Sequence, residues 1–163
     1  MKKIIFILSL AISSFAFSQV STTRINDIKL GMKQSELEKV INKKIKIPLD
    51  EYGNPSNFKL AHNGVTYTLY FWQIENDFQV GSITANDSSL KTLSGIKKGS
   101  TLDELWSKYK NYNIKIYQGW EDDSASKRQR YFIVEDYDAG SALSIELNDN
   151  KVVGFSVSYN EGC

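Results

Sequence analysis

One segment occurs twice in this chain, 68 positions apart. DIKLGMKQSELEKV runs from Asp27 to Val40, and GIKKGSTLDELWSKY from Gly95 to Tyr109. Each copy reads as a strand end, a glycine turn and then a short helix. What one copy folds into, the other should fold into as well. A period near 68 residues is too long for the short solenoid repeats, so the pattern indicates a tandem duplication. The expected division is 1–18 a targeting segment, 19–94 a first unit with its linker, and 95–163 a second unit.

The helices can be placed from their apolar spacing. In the first copy Leu37, Val40 and Ile41 share a face of a helix from about Gln34 to Lys43; in the second, Leu102, Leu105, Trp106 and Tyr109 do. Thr101 and Glu104 form a capping box, with the threonine oxygen accepting from the Glu104 N–H and the carboxylate reaching back. The first copy keeps Glu36 but has Lys33 at the cap, which should weaken its helix start by about 1 kcal/mol.

Strands follow each helix. Ile45 and Ile47 alternate with lysines, and a polar loop, PLDEYGNPSN at 48–57, holds both prolines. Asn63-Gly64 between two alternating runs signals a hairpin, because both turn positions need positive φ. A two-residue turn pairs His62 with Val65, Leu60 with Tyr67 and Phe58 with Leu69. A second hairpin turns through Asn76-Asp77. With Phe71 and Ile83 inward, Tyr70, Trp72, Ile74 and Val80 face outward. Residues 20–26 read as a flexible lead-in, and 87–94 as a linker with one helical turn.

In the second unit Ile114 and Ile116 alternate with Lys115 and Tyr117, followed by a polar loop from Gly119 to Arg130. Three strands then run over Tyr131–Asp136, Ser141–Leu147 and Lys151–Tyr159. Their register places Phe132, Val134, Leu143, Ile145, Val153, Phe155 and Val157 on one face. The fold class implied is α+β: two tandem units, each a helical segment packed on an antiparallel β-sheet.

The segments Ile28–Met32 with Ser35-Glu36-Leu37, and Ile96–Thr101 with Glu104-Leu105, resemble the repeat opening of the beta-lactamase-inhibitor-protein-like superfamily. The resemblance is one of layout, over about residues 27–160. It implies exported bacterial proteins that bind other proteins through an exposed sheet face, with no enzymatic activity. The chain lacks the internal disulfides of the inhibitor branch. It also lacks the lipid-attachment cysteine of the related assembly lipoproteins, which counts against their role; and because the binding residues differ between members, no contact residue is carried over.

Lys2 and Lys3, the apolar run Ile4–Ile12 and the small residues at Ala16 and Ser18 read as a secretory signal cleaved after Ser18. The expected location is periplasmic or secreted, with no membrane span in the mature chain. Removing Lys2 and Lys3 from the 20 basic residues leaves 18 against 19 acids, so net charge favours neither nucleic acid nor an anionic membrane. Cys163 is the only cysteine. It reads as a frayed terminal thiol on a monomer, the alternative being a disulfide between two molecules.

Little points to catalysis. The single histidine, His62, reads as a turn-flanking residue, and one His with one terminal Cys falls short of a zinc site. Asp136, Asp138 and Gly140 fit a turn better than a calcium loop. Glu121-Asp122-Asp123 is a second acidic cluster. Paired carboxylates could serve a glycoside hydrolase, but a chain with 19 acids offers such pairs generically. No cofactor and no metal are expected.

The outward sheet face carries the functional expectation. Tyr70, Trp72, Ile74 and Val80 lie on it, and Tyr117 and Tyr131 extend it; Trp120 stands at the base of a charged loop with Lys127, Arg128 and Arg130. Exposed apolar patches of this kind mark interaction surfaces. The alternative is that helices cover this face, or that Leu69–Trp72 is a run buried on both sides. The reading reached is an exported, non-enzymatic, inhibitor-like protein-binding module. A structural factor in envelope assembly is the alternative, and a small hydrolase the third.

Overall fold

A computed structural model describes residues 19–121 and 124–160. The targeting segment, Asp122, Asp123 and Cys163 lie outside the described residues. In chain order the elements are β1 (Gln19–Val20), β2 (Arg24–Ile25), β3 (Ile28–Lys29), α1 (Gln34–Ile41), β4 (Phe58–His62), β5 (Val65–Ile74), β6 (Asp77–Ala85) and β7 (Lys91–Thr92). They continue with α2 (Leu102–Tyr109), β8 (Asn113–Glu121), β9 (Ser124–Asp136), β10 (Ser141–Asn148) and β11 (Lys151–Tyr159).

The α+β expectation of two helix-on-sheet units is corrected. The chain is mostly β, 54% strand against 12% helix, in one seven-stranded and one four-stranded sheet. The large sheet runs β4-β5-β6-β11-β10-β9-β8. It is continuous because β6 pairs antiparallel with β11, with Ile83 opposite Val157 and Ala85 opposite Phe155. Strands from both copies therefore share one sheet. The small sheet, β3-β2-β1-β7, is built from the lead-in, the opening strand of the first copy (β3) and the linker, with β1 parallel to β7. Val20, Ile25 and Leu90 are apolar enough to bury almost completely, so both segments pack into the core where a flexible lead-in and a linker were expected, and 87–94 has no helical turn.

The hairpin at Asn63-Gly64 has the register expected, His62 with Val65 through Phe58 with Leu69. The next turn sits at Glu75-Asn76, with Ile74 opposite Asp77. The expected loop 119–130 is instead largely a hairpin, β8 with β9. Its pairing continues to Trp120–Ala125 and Glu121–Ser124, because alternating strand residues can stay paired while their charged side chains remain in water.

A β-bulge in each half decides what faces the core. In β6, Tyr70 pairs with Ser82 but Phe71 with Val80, leaving Gly81 as the extra residue. In β11, Glu146 pairs with Gly154 but Leu147 with Val152, leaving Val153 extra. A bulge advances the strand by one residue and so reverses which side chains point inward beyond it. Val80 and Val152 are therefore core residues, at 0% and 1% exposure, and Val153 is only half-buried. Both readings are corrected for this reason.

Each bulge also receives the glycine turn of its own copy. The Gly31 N–H donates to the Val80 carbonyl (2.8 Å), and the Val80 N–H to the Met32 carbonyl (3.0 Å). The Gly99 N–H likewise donates to Val152 (2.8 Å), and the Val152 N–H to Ser100 (2.9 Å). Gly31 and Gly99 have φ of 72° and 87°, which glycine adopts without steric cost. The repeated turn is thus a clip holding each helix start to a central strand.

The capping box of α2 forms as expected, Thr101 N–H to Glu104 Oε2 at 2.6 Å and Glu104 N–H to Thr101 Oγ1 at 3.3 Å. At α1 only half exists, Lys33 N–H to Glu36 Oε2 at 2.9 Å, since an ammonium group accepts nothing. Leu37, Leu105 and Tyr109 are buried, but Trp106 is exposed. A helix of eight residues lays only a narrow stripe on the core, and Trp106 falls beside it.

Candidate functional site

Both helices and the small sheet pack on one side of the large sheet. Leu37, Leu105, Val20 and Ile25 join Tyr67, Phe71, Phe132 and Phe155 in one continuous core. Alternation then sends the other set of side chains to the opposite face, which no described element covers. Down its middle runs a belt of small hydroxyls. Ser82 faces Ser158, and Thr84 faces Ser156, across the β6–β11 pair; Thr84 Oγ1 and Ser156 Oγ are 2.9 Å apart.

Aromatic residues stand at the two sides of this belt. On β5, Tyr70 is 38% exposed and Ile74 43%. Trp72 is half-buried, with its indole lying over Gly81 and stacked on Tyr159 at a centroid distance of 5.0 Å. Tyr70, Trp72 and Tyr159 rim a shallow depression of about 420 Å³ floored by Gly81, Ser82 and Ser158. On the far side Tyr117, 51% exposed, pairs with half-buried Tyr131. Tyr131, Glu146 and Thr84 border a second depression of about 320 Å³. Burial, and then the nearby Glu146 charge, raise the Tyr131 phenol above its usual value.

The expected site residues therefore divide. Tyr70, Trp72 and Ile74 belong together; Tyr117 and Tyr131 form a second group four to five strand spacings away, about 19–24 Å. Val80 leaves the site for the core, for the reason given by the bulge. Trp120, 74% exposed, stands near the tip of the β8–β9 hairpin, where β9 has run past the end of its pairing with β10. Two of the basic residues there are engaged: Arg128 forms a double contact with Asp149 (2.6 Å at the shorter), and Arg130 bonds to Asn150. Tyr159 was missed because simple alternation from Val157 sends it inward; it reaches Trp72 at a strand end.

Comparisons with protein-family models, with curated proteins and with solved structures each find no match. The resemblance of the two turn–helix segments to inhibitor-like proteins thus rests on those residues alone.

Ionisable groups on and beside the face are mostly paired. Glu135 accepts from Lys115 Nζ (2.7 Å) and from the Tyr137 hydroxyl (2.8 Å). These bonds, Lys115 first, hold its carboxyl below the usual range and raise Lys115 and Tyr137. A carboxyl serving as general acid needs the opposite shift. His62 Nε2 lies 3.0 Å from Asp27 Oδ2 at the hairpin end. Asp136 Oδ1 accepts from the Ala139 N–H at 3.0 Å, so the Asp136–Gly140 segment is a closed turn. Among the described residues no group of three or more His, Cys, Asp or Glu is gathered for a metal, and no helix is long and apolar enough to cross a membrane.

Proposed function

We propose that this is an exported protein-binding module that receives a folded partner on the uncovered face of its seven-stranded sheet. The observation that carries the reading is the one-sided layering: every described covering element lies on the core side, while Tyr70, Trp72, Tyr117 and Tyr131 stand on the other. Seven strands give a face about 29 Å across. The inner strands β6, β11 and β10, of nine, nine and eight residues, make it about 26 Å long, a footprint of about 750 Å². A stable interface buries about 800 Å² per partner, so one folded domain fills it. Tyrosine and tryptophan are the side chains that dominate such interfaces, and hydroxyls between them offer bonds to a partner without strong desolvation cost. The inhibitor-like resemblance and the amino-terminal targeting pattern point the same way.

The test is affinity capture by the mature protein from the envelope and culture fluid of its own cells. Tyr70→Ala with Tyr117→Ala is the informative variant, because both side chains are exposed and Trp72, which supports Tyr159, is left in place. Capture should be lost while the melting temperature stays within about 2 °C, as expected for surface substitutions. Full capture by the folded double variant would remove this face from consideration.

A further inference from the structure

A third concavity lies away from the open face, where the β1–β2 turn, the turn after β7, the end of α2 and the β9–β10 turn converge. It is a cleft of about 480 Å³, within the range of small-molecule sites. Its floor is apolar: Val20, Tyr109, Val134 and Leu143 line it from the buried core. Its walls are Leu93, Tyr112 and Tyr137, all exposed. Each of the three is a large side chain in an otherwise polar turn, between Thr92 and Ser94, between Asn111 and Asn113, and between Asp136 and Asp138. Nothing in turn formation asks for such residues there.

The ionisable side chains of the lining other than tyrosine are all acids, Glu135, Asp136 and Asp138. Thr22 Oγ1 donates to Asp136 Oδ2 (2.9 Å), tying the β1–β2 turn to the acidic rim and fixing the cleft's width. Tyr109 and Tyr112 meet edge to face at 5.7 Å, so their ring faces turn in different directions, as the walls of a cage do. The face of a phenol ring carries negative potential and attracts cations.

We propose that this cleft binds an organic ammonium ion with an apolar body. Hydrocarbon floor, aromatic walls and acidic rim suit the two ends of such a molecule at once. An anion would meet the carboxylates of Asp136 and Asp138, Glu135 being paired with Lys115. A bare calcium ion takes six to eight oxygens, which a hydrocarbon floor does not provide. The ammonium could be that of a free amine or the head of a lysine side chain, and the same chemistry would hold either.

The test uses the full mature chain and three probes followed by amide chemical shifts: benzyltrimethylammonium, Nα-acetyl-lysine methylamide and phenylacetate. Saturable shifts confined to the segments around Thr22, Leu93, Tyr112 and Tyr137 are expected for one or both cations, with phenylacetate bound at least about tenfold more weakly. Tighter binding of the first points to a free amine, of the second to a lysine side chain; either supports the site. Tyr112→Leu keeps the apolar area but removes the ring, and should weaken the cation about 2- to 30-fold, the range of one cation–π contact. Asp138→Asn should weaken it further, and raised salt should do the same. The proposal fails if no probe shifts these residues at tens of millimolar, if phenylacetate binds as well as the cations, or if Tyr112→Leu changes nothing.

Discussion

Replacing Gly81 by alanine sets two effects of known size against each other. Gly81 does not have positive φ, so a side chain there meets no backbone penalty. Alanine should even gain about 0.5–1 kcal/mol by restricting the unfolded chain. Against this, the new Cβ would lie 3.0 Å from the Trp72 indole, closer than ordinary contact. The ring must lift, which overpacks the site at about 1–3 kcal/mol and disturbs the Trp72–Tyr159 stack, about 0.5–1.5 kcal/mol. Sterics should win, leaving a net loss of about 1–3 kcal/mol. For a domain of this size each kcal/mol lowers the melting temperature by about 3–4 °C, so a drop of about 3–12 °C is expected by circular dichroism, with a change in tryptophan emission. The cycle with Trp72→Ala isolates the cause. In that background Gly81→Ala should be neutral or stabilising, because nothing overlies the new methyl. A penalty that persists without Trp72, or a single mutant as stable as wild type, would refute the proposed contact. It would also remove the reason for a glycine at this bulge, where the corresponding residue of the second half is Val153.

Three further outcomes follow from the packing. Val80→Ala should cost about 1–3 kcal/mol, and Ile74→Ala less than about 0.5 kcal/mol, in urea unfolding; equal effects would contradict the bulge. Thr101→Ala should destabilise by about 1 kcal/mol and Lys33→Thr should stabilise by a similar amount, since only the second copy has a complete cap; denaturation midpoints moving in opposite directions check this. Glu38 accepts from Lys44, the Ile45 N–H and Gln34, and these bonds lower its pKa from 4.5 to about 2. A folded value below the unfolded one gives stability that is full above about pH 4.5 and is lost as the pH falls towards 2. The stability gap between wild type and Glu38→Gln should therefore close over that window and stay constant above it.

The features readable from sequence were those governed by local chemistry. Asn63-Gly64 set a turn type and hence a register, Thr101 with Glu104 set a helix start, and the strands on either side of Asn148–Asn150 ended within a residue of their expected limits. Counting alternation correctly kept Tyr70 and Ile74 outward, and failed at Val80 and Val153 because each lies at or beyond a bulge. The bulges answer to a non-local demand: the central strand must offer a carbonyl and an N–H to a glycine turn some 50 residues earlier. No periodicity within β6 or β11 encodes that. The joining of β6 to β11 was hidden for the same reason, and with it the single sheet that replaces two. The cleft did leave a trace, in the large side chains at Leu93, Tyr112 and Tyr137 within polar turns.

The two copies diverge most just after their helices, and there the cause is legible. In the second copy the residues after α2 become β8, the edge strand that carries Tyr117 and Trp120. In the first, the matching stretch after α1 pairs with nothing beyond an isolated bridge between Leu49 and Pro55. Both prolines of the chain fall there, at 48 and 55, and proline cannot donate to a ladder. The segment is held instead by side chains, through Glu38 to Lys44 and Ile45. One edge of the sheet thus ends at the short β4, while the other is extended by a long hairpin that projects past β10. Two similar turn–helix segments thus sit under an asymmetric face. The partner proposed for this face would meet Tyr70 and Trp72 directly on the sheet, and on the opposite side Tyr117 and Tyr131 backed by the projecting arm.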